Sequence, residues 1–430
     1  MDLARDLLDY IAAGPSPFHA VEETARRLEQ AGYRRVDEAD PFELRPGDRF
    51  YVVRDGATMA AFELGTSPPE ETGLRLIGAH TDSPNLRIKP QPELSREGFL
   101  QLGVEAYGGV LLSTWLDRDL SLAGRVIVRS ERGVESHLVI LPGAPLRIPN
   151  LAIHLNRGVN DKLSLNAQQH LVPVVGLGER AGFSLREILC SQLVAQGVEA
   201  AADAVLGWDL GLFPVEPGAF TGLSKQFIAT ARLDNLAGCH GALCALLQSG
   251  GARGHTRGIV LFDHEEVGSQ SARGASSLFV RSLLMRLLRA YGQESEERLS
   301  RAIAKSMFVS SDMAHGVHPN YADRHEPGHK PMLGGGPVIK FNSNQAYGTD
   351  GVTWATLERL AGSVDAPVQR FVVRSDLGCG STIGPITAAR LGIRTIDVGN
   401  PMLGMHSARE MAASADVAPM VQILGAFVAA

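Results

Sequence analysis

Histidine and carboxylate side chains recur in this chain directly after short apolar runs, a placement suited to holding divalent metal ions and moving protons. The run Leu74–Ala79 is followed by His80, Thr81 and Asp82, Gly258–Phe262 by Asp263, His264, Glu265 and Glu266, and Met307–Ser311 by Asp312, Met313, Ala314 and His315. The run Ile393–Val398 leads into a short loop carrying His406, just before the segment SAREMAA, which reads as a helix. Asp234, in RLDNLAG, stands at the start of another predicted helix, where aspartate is also favoured as an N-cap. Each residue has a plain structural reading taken alone: a core histidine, a turn aspartate, a solvated glutamate pair. Together they argue for a site, because chance would scatter polar groups over both ends of a sheet.

Histidine and carboxylate ligands without thiolate suit zinc, manganese or cobalt. Two divalent cations balance three ligand carboxylates plus a bridging hydroxide, and two ions ~3.5–4 Å apart clamp the attacking and departing oxygens of a hydrolysis. One further carboxylate is then needed as the proton shuttle. Residues 325–329 spell H-E-x-x-H, the single-zinc protease pattern, but Pro327 and Gly328 remove the helix on which that spacing depends. The segment reads as a surface loop.

The elements that must position these residues are legible from periodicity. An amphipathic helix, a break at Gly14–Pro17 and a second helix from about Phe18 to Gly32 precede a strand-like stretch between Phe50 and Ala79. From about Gln91 to Gly222 short β-rich runs such as GRVIVRS and HLVILPG alternate with glycine and proline, with one helical segment near Leu185–Gln196. A regular alternation follows: helix at about Asp234–Gln248, strand at Gly258–Asp263, helix at about Ser277–Tyr291, strand at Met307–Ser311 and helix at Asp350–Ala361. It continues with a strand at Val368–Val373, a helix near Pro385–Leu391, a strand at Ile393–Val398 and a last helix from about Ser407. Such alternation predicts an α/β sheet with helices on both faces, whose ligands bind beyond the carboxyl ends of the strands. The expected organisation is a catalytic domain split into residues 1–90 and 223–430 by an inserted β-rich module at 91–222.

Composition narrows the function classes. Over 430 residues, 44% are hydrophobic and 20% charged, as in a globular protein of two or three domains. The 41 Lys and Arg against 47 Asp and Glu, with no basic run, argue against a nucleic-acid partner. No apolar segment approaches the ~18 residues of a membrane span, and the first residues lack a secretory pattern, so a cytoplasmic location is expected. Four cysteines without C-x-x-C spacing indicate neither a disulfide framework nor a thiolate zinc site.

The segments GAHTDSPNLRIKP (Gly78–Pro90), RLDNLAG (Arg232–Gly238), FDHEEVGSQSARGA (Phe262–Ala275), SDMAHGVHPNYADRHE (Ser311–Glu326), GGPVIKFNSNQAY (Gly335–Tyr347) and GMHSAREM (Gly404–Met411) closely resemble the M18 metalloaminopeptidases, the aspartyl aminopeptidases. The resemblance runs from the PSPFHAV segment near Pro15 to the C-terminal helix. It implies a mixed sheet flanked by helices, of the zinc-dependent exopeptidase type, with an inserted β-rich dimerisation domain. It also implies two Zn2+ per subunit, with Mn2+ or Co2+ as substitutes. In that reading His80, Asp234 and Asp312 hold one ion, and Asp234, Glu266 and His406 the other, with Asp234 bridging. Asp82 orients a ligand imidazole. Glu265 is the general base, and since adjacent residues on a strand point opposite ways, Glu265 and Glu266 require an irregular turn.

The same resemblance implies peptide substrates with a free N-terminus, dimers, and a tetrahedral dodecamer in which His154 reaches a neighbour's active site. Lys340 matches a basic residue that contacts an acidic N-terminal side chain, and His315 and Tyr347 join it as substrate-binding candidates. Where eukaryotic members tend to read NSKQRY, this chain has NSNQAY at Asn342–Tyr347, so two nearby positive charges are missing and the acidic preference is expected to be weaker or broader. The competing readings are a di-metal carboxypeptidase or amide deacylase, distinguished by the need for a free α-amine, and an idle assembly subunit, against which the complete ligand set argues.

Overall fold

The computed structural model describes residues 2–131, 133–179, 181–251 and 253–430, arranged as two compact units. The first comprises Met1–Asp82, Gly218–Met405 and Glu410–Ala430, and the second Ser83–Pro217 with His406–Arg409.

The first unit is built on a mixed sheet. Its strand order is Arg34–Arg35, Arg49–Arg54, Thr58–Glu63, Thr256–Phe262, Leu74–His80, Met307–Ser311, Arg394–Gly399, Val338–Phe341 and Gln369–Val372. The four strands at its heart, Thr256–Phe262 to Arg394–Gly399 in that order, run parallel to their neighbours, and the flanking Thr58–Glu63 and Val338–Phe341 antiparallel. Parallel strands covered on both faces read as nearly continuous apolar runs, and every residue of Thr256–Phe262 is buried. One face packs on the helices Leu3–Ala13, Leu233–Gln248, Gly351–Ser363 and Val417–Ala429, the other on Phe279–Leu287, Glu296–Ala304 and Ile383–Leu391. Register sets the strand ends level: Phe262 lies opposite His80, and Ser311 opposite Val398. The residues that follow those strands therefore emerge at one edge, the α/β arrangement with a mixed sheet that the sequence predicts.

A smaller sheet in the same unit has the order Ala219–Thr221, Phe227–Thr230, Glu410–Ala413, Pro401–Leu403 and Ala314–His315. It corrects one expectation. The SAREMAA segment does not start a helix: Glu410–Ala413 is a strand, paired antiparallel with Phe227–Thr230 and Pro401–Leu403, and the helix begins at Val417. Its alanine, methionine and glutamate residues favour helix locally, but two ladders of backbone hydrogen bonds override that propensity.

In the second unit the strand order is Val205–Pro214, Asn85–Arg96, Phe99–Tyr107, Val174–Leu177, Leu146–Arg147, Asp119–Ser130 and Gly133–Ile140. Val205–Pro214 also pairs with Asp119–Ser130, so the sheet closes around a core that includes Leu86, Leu120, Val126 and Leu212, with the helix Leu185–Ala195 packed on it. The boundaries differ from those expected, at Asp82/Ser83 and Pro217/Gly218 rather than residues 90 and 222. The cause is the strand Asn85–Arg96, which begins five residues after Leu74–His80 ends and pairs with Phe99–Tyr107.

Candidate metal centre

His80 closes the strand Leu74–His80 and is buried. Its Nδ1 lies 3.0 Å from the carbonyl oxygen of Asp82, and donating there leaves the Nε2 lone pair for a metal. Nε2 lies 3.5 Å from Asp234 Oδ1, 3.6 Å from Asp312 Oδ2 and 3.9 Å from Glu265 Oε2. These are carboxylates from three other elements, converging on one imidazole nitrogen.

Backbone contacts from distant segments hold each carboxylate. Asp234 follows Arg232, whose φ of 62° is left-handed, and both Asp234 and Asn235 depart from helical angles, joined by a cis peptide bond. Asp234 thus precedes the regular helix, and its N–H donates to Glu410 Oε2 at 3.1 Å. Asn235 Nδ2 donates to the Ser311 carbonyl at 2.8 Å, tying this turn to the end of the Met307–Ser311 strand. Gly238 is required there, since a Cβ would stand 2.6 Å from that carbonyl oxygen. Asp312 N–H donates to the Val398 carbonyl at 3.0 Å, while Oδ1 accepts from Lys340 Nζ at 2.9 Å.

After Thr256–Phe262 the chain turns through His264, with a φ of 65°, into a single 3-10 turn at Glu265–Val267. This is the irregular turn that two adjacent glutamates require to serve one site. Asp82 fixes it: its two carboxylate oxygens accept the N–H groups of Glu265 and Glu266, each at 3.1 Å. The Asp82 carboxylate is 3.4 Å from His80 Nδ1, farther than its own backbone carbonyl. Its principal bonds are with the glutamate turn.

The electrostatics call for a cation. Burial by itself would lower the pKa of His80, but hydrogen bonds to Asp234, Asp312 and Asp82 raise it well above the ordinary histidine range. Burial and the charges of Asp312, Asp82 and Asp234 push Glu265 up to about 8, against the opposing pull of His80. Glu266 is raised in the same way, by burial and by Asp234. Ligand atoms of His80, Asp234 and Asp312 lie within 4.8 Å of one another, as do those of His80, Glu265 and Glu266. One imidazole and several carboxylates, crowded together, form a nitrogen and oxygen donor set that fits zinc.

The other sequence-predicted residues fall as follows. Lys340 is buried, and its Nζ donates to Asp312 Oδ1 and, at 2.7 Å, to the Met313 carbonyl. The structure therefore places its ammonium against a candidate ligand, 5.3 Å from the centre of the Tyr347 ring. Tyr347 is buried in a cluster with Ala314, Val338 and Phe371. His315 stands edge-on to Phe371 at 5.9 Å, and desolvation followed by the Lys340 charge lowers its pKa from the usual histidine range, although part of the residue is exposed. His406 belongs to the four-residue segment grouped with the second unit, where its Nδ1 is 3.0 Å from the Gly109 carbonyl. His154 lies exposed in the 3-10 turn Ile153–Leu155 of that unit. In the H-E-x-x-H segment His325 Nε2 faces the His315 carbonyl at 3.2 Å while His329 Nδ1 pairs with Glu326 at 2.5 Å, outside any helix.

Sequence reasoning missed Glu410, buried and holding the Asp234 backbone, because it lies in the strand misread as a helix. It also missed Cys239, whose thiol donates to the His80 carbonyl at 3.0 Å.

Residues 10–428 match the family described as "Aminopeptidase I zinc metalloprotease (M18)". A Pseudomonas aeruginosa protein named "Probable M18 family aminopeptidase 2" is 51% identical over 432 residues, covering 100% of this chain and 98% of that protein. Among solved structures, a chain in the cryo-EM structure of the Ape4 and Nbr1 complex superposes with a TM-score of 0.95 at 38% identity, over 100% of this chain and 85% of that one. A chain of the S. cerevisiae mApe1 dodecamer gives a TM-score of 0.86 at 28% identity, over 99% and 96%.

Proposed function

The chain belongs to the M18 family of zinc metalloaminopeptidases, and from that membership we propose that it is a di-zinc enzyme that removes the N-terminal residue from peptides, with a preference for Asp or Glu. In this reading His80 and Asp312 would hold one ion, Glu266 and His406 the other, and Asp234 would serve both. The observation that carries it is the convergence of Asp234, Asp312 and Glu265 within 3.9 Å of His80 Nε2 in a buried, strongly anionic pocket.

When bound, the zinc ions supply Lewis acidity toward the scissile carbonyl and the attacking water. Glu265 accepts the proton of that water and delivers it to the departing amine, so one carboxylate serves as base and then as acid. Asp82 keeps Glu265 in reach by holding its backbone N–H. Lys340 offers its remaining N–H to an acidic side chain of the substrate, two being spent on Asp312 and Met313. His315, beside Phe371, and Tyr347 are assigned to the same subsite.

We further propose that the second unit is a dimerisation domain and that the dimers build a tetrahedral dodecamer in which His154 completes a neighbouring active site. Supporting this are the exposed apolar side chains that flank it, Leu151, Ile153 and Leu155, costly to leave in water on an isolated chain. A cytoplasmic location is proposed with it. Among the described residues no helix is long and apolar enough to cross a membrane.

The test is release of the first residue from matched Asp-, Glu-, Leu- and Lys-initiated peptides, with and without chelator and zinc add-back. Chelator-sensitive cleavage favouring Asp or Glu is expected. Preference for Leu would remove the acidic subsite, and cleavage of N-acetylated but not free-amine substrates would replace the aminopeptidase reading with a deacylase.

A further inference from the structure

A second cluster of ligand-type side chains lies away from the metal centre. Asp6, on the helix Leu3–Ala13, meets His240 and Cys244, which are one turn apart on the face of the helix Leu233–Gln248. His240 Nε2 is 2.8 Å from Asp6 Oδ2 and 3.4 Å from Cys244 Sγ, and both His240 and Cys244 are buried.

Both neighbours address the same ring nitrogen, and a single proton cannot serve both. If Nε2 carries a hydrogen, it donates to Asp6 and offers the thiol no acceptor. If Nε2 is bare, it accepts from the thiol but faces the carboxylate lone pair to lone pair. A divalent cation in place of the proton takes an electron pair from all three. Zinc with bonds of ~2.0 Å to nitrogen and oxygen and ~2.3 Å to sulfur, in tetrahedral geometry, separates nitrogen from sulfur by roughly 3.6 Å and nitrogen from oxygen by roughly 3.3 Å. The nitrogen–sulfur separation is within about 0.2 Å of that geometry and the nitrogen–oxygen one within about 0.5 Å, and all three ligand atoms lie within 4.8 Å of one another.

The charged neighbours of the cluster are two carboxylates and two guanidiniums. Arg27 donates to Asp6 at 2.9 Å and 3.1 Å, and its own Nε donates to Glu23 at 2.6 Å. Arg26 also pairs with Glu23, so a divalent cation and two guanidiniums meet two carboxylates and a thiolate, and the excess positive charge sits on the half-exposed Arg26.

We propose that Asp6, His240 and Cys244 form a further metal site, taking a zinc-class divalent cation with water in the fourth position. The ion would tie the N-terminal helix to the helix that follows Asp234. Burial pushes the Cys244 thiol up to about 12, so the metal-free site holds a neutral thiol and loading releases its proton. The inference stands apart from the peptidase reading, because it uses none of the residues assigned to catalysis.

The test is cobalt substitution of the full-length protein, read by absorption spectroscopy and by metal content per chain. None of the proposed catalytic ligands is a cysteine, so a sulfur-to-cobalt charge-transfer band reports this site. The wild-type protein should show the band, and Cys244→Ser should lose both the band and one metal per chain while keeping peptidase activity within about twofold. If Cys244→Ser does not fold, His240→Gln should lose the same band. A wild-type protein without the band, or a band that survives in Cys244→Ser, overturns the assignment.

Discussion

Replacing Asp82 by Asn tests whether the glutamate turn is held from outside itself. In the native site the Asp82 carboxylate accepts two N–H groups, from Glu265 and Glu266, each at 3.1 Å, while being fully buried. An amide keeps one acceptor and turns the other into a donor that faces an N–H. One hydrogen bond to a charged group is lost, at ~1.5–3 kcal/mol, and the surviving one drops to about half its strength without the charge. The sum is about 3 kcal/mol, which appears as displacement of Glu265 and corresponds to roughly a hundredfold in kcat/KM at saturating zinc. His80 should suffer less, because the backbone carbonyl of residue 82 is the nearer partner of its Nδ1, at 3.0 Å. Zinc retention against a chelator should therefore fall by only ~10-fold, the low end for groups that support metal ligands. Steady-state kinetics with metal content measured on the same samples separates the two effects. A folded Asp82→Asn protein with wild-type kcat/KM would refute the anchoring role.

Glu265→Gln should lose about 10²–10⁴-fold in kcat, the range for a general base, with metal content retained; loss of metal in step with activity would make Glu265 a ligand instead. Lys340→Met should bring the Asp-to-Leu rate ratio toward one and, by stripping Asp312 of its buried partner, lower the melting temperature. Unchanged selectivity would leave Lys340 as support for Asp312 alone. His19, half-buried and near the Arg232 charge, has its pKa lowered to about 4 by desolvation first and that charge second. Between pH 6.5 and 4 the unfolded chain takes up a proton that the native state refuses, so stability falls as pH falls through this window, by at most ~3 kcal/mol. His19→Gln should flatten that limb in urea titrations at pH 7 and pH 4, and an equally steep decline would exclude His19 as its source.

The sheet was legible because its parallel strands are written as local apolar runs. His80 and Asp312 were legible because each follows such a run directly, and level registers bring those ends to one edge. What sequence periodicity lacks is information about partners far along the chain. Glu410–Ala413 is a strand only because Phe227–Thr230 and Pro401–Leu403 lie on either side of it. Lys340 reads as a basic residue available to a ligand, and three-dimensional packing adds Asp312 and the Met313 carbonyl as partners that the sequence does not show. The domain boundary at Ser83 was hidden for the same reason, since Asn85–Arg96 acquires its identity by pairing outside the first unit.

The pattern in the metal centre is more general than any one residue. The groups that face the site come from strand ends, where spacing exposes them to sequence analysis. Their supports come from elsewhere: Asp82 for the glutamates, Glu410 for Asp234, the Val398 carbonyl and Lys340 for Asp312. A buried cluster in which burial and like charge push Glu265 and Glu266 upward cannot hold its shape by mutual attraction. Its geometry must be fixed by hydrogen bonds that do not depend on the cation. Backbone N–H groups and carbonyls meet that need, because their positions are set by the sheet and helices. The fold therefore organises the candidate ligands through its own hydrogen bonds, and substitutions in the supporting residues should weaken catalysis without removing a single group that touches the substrate.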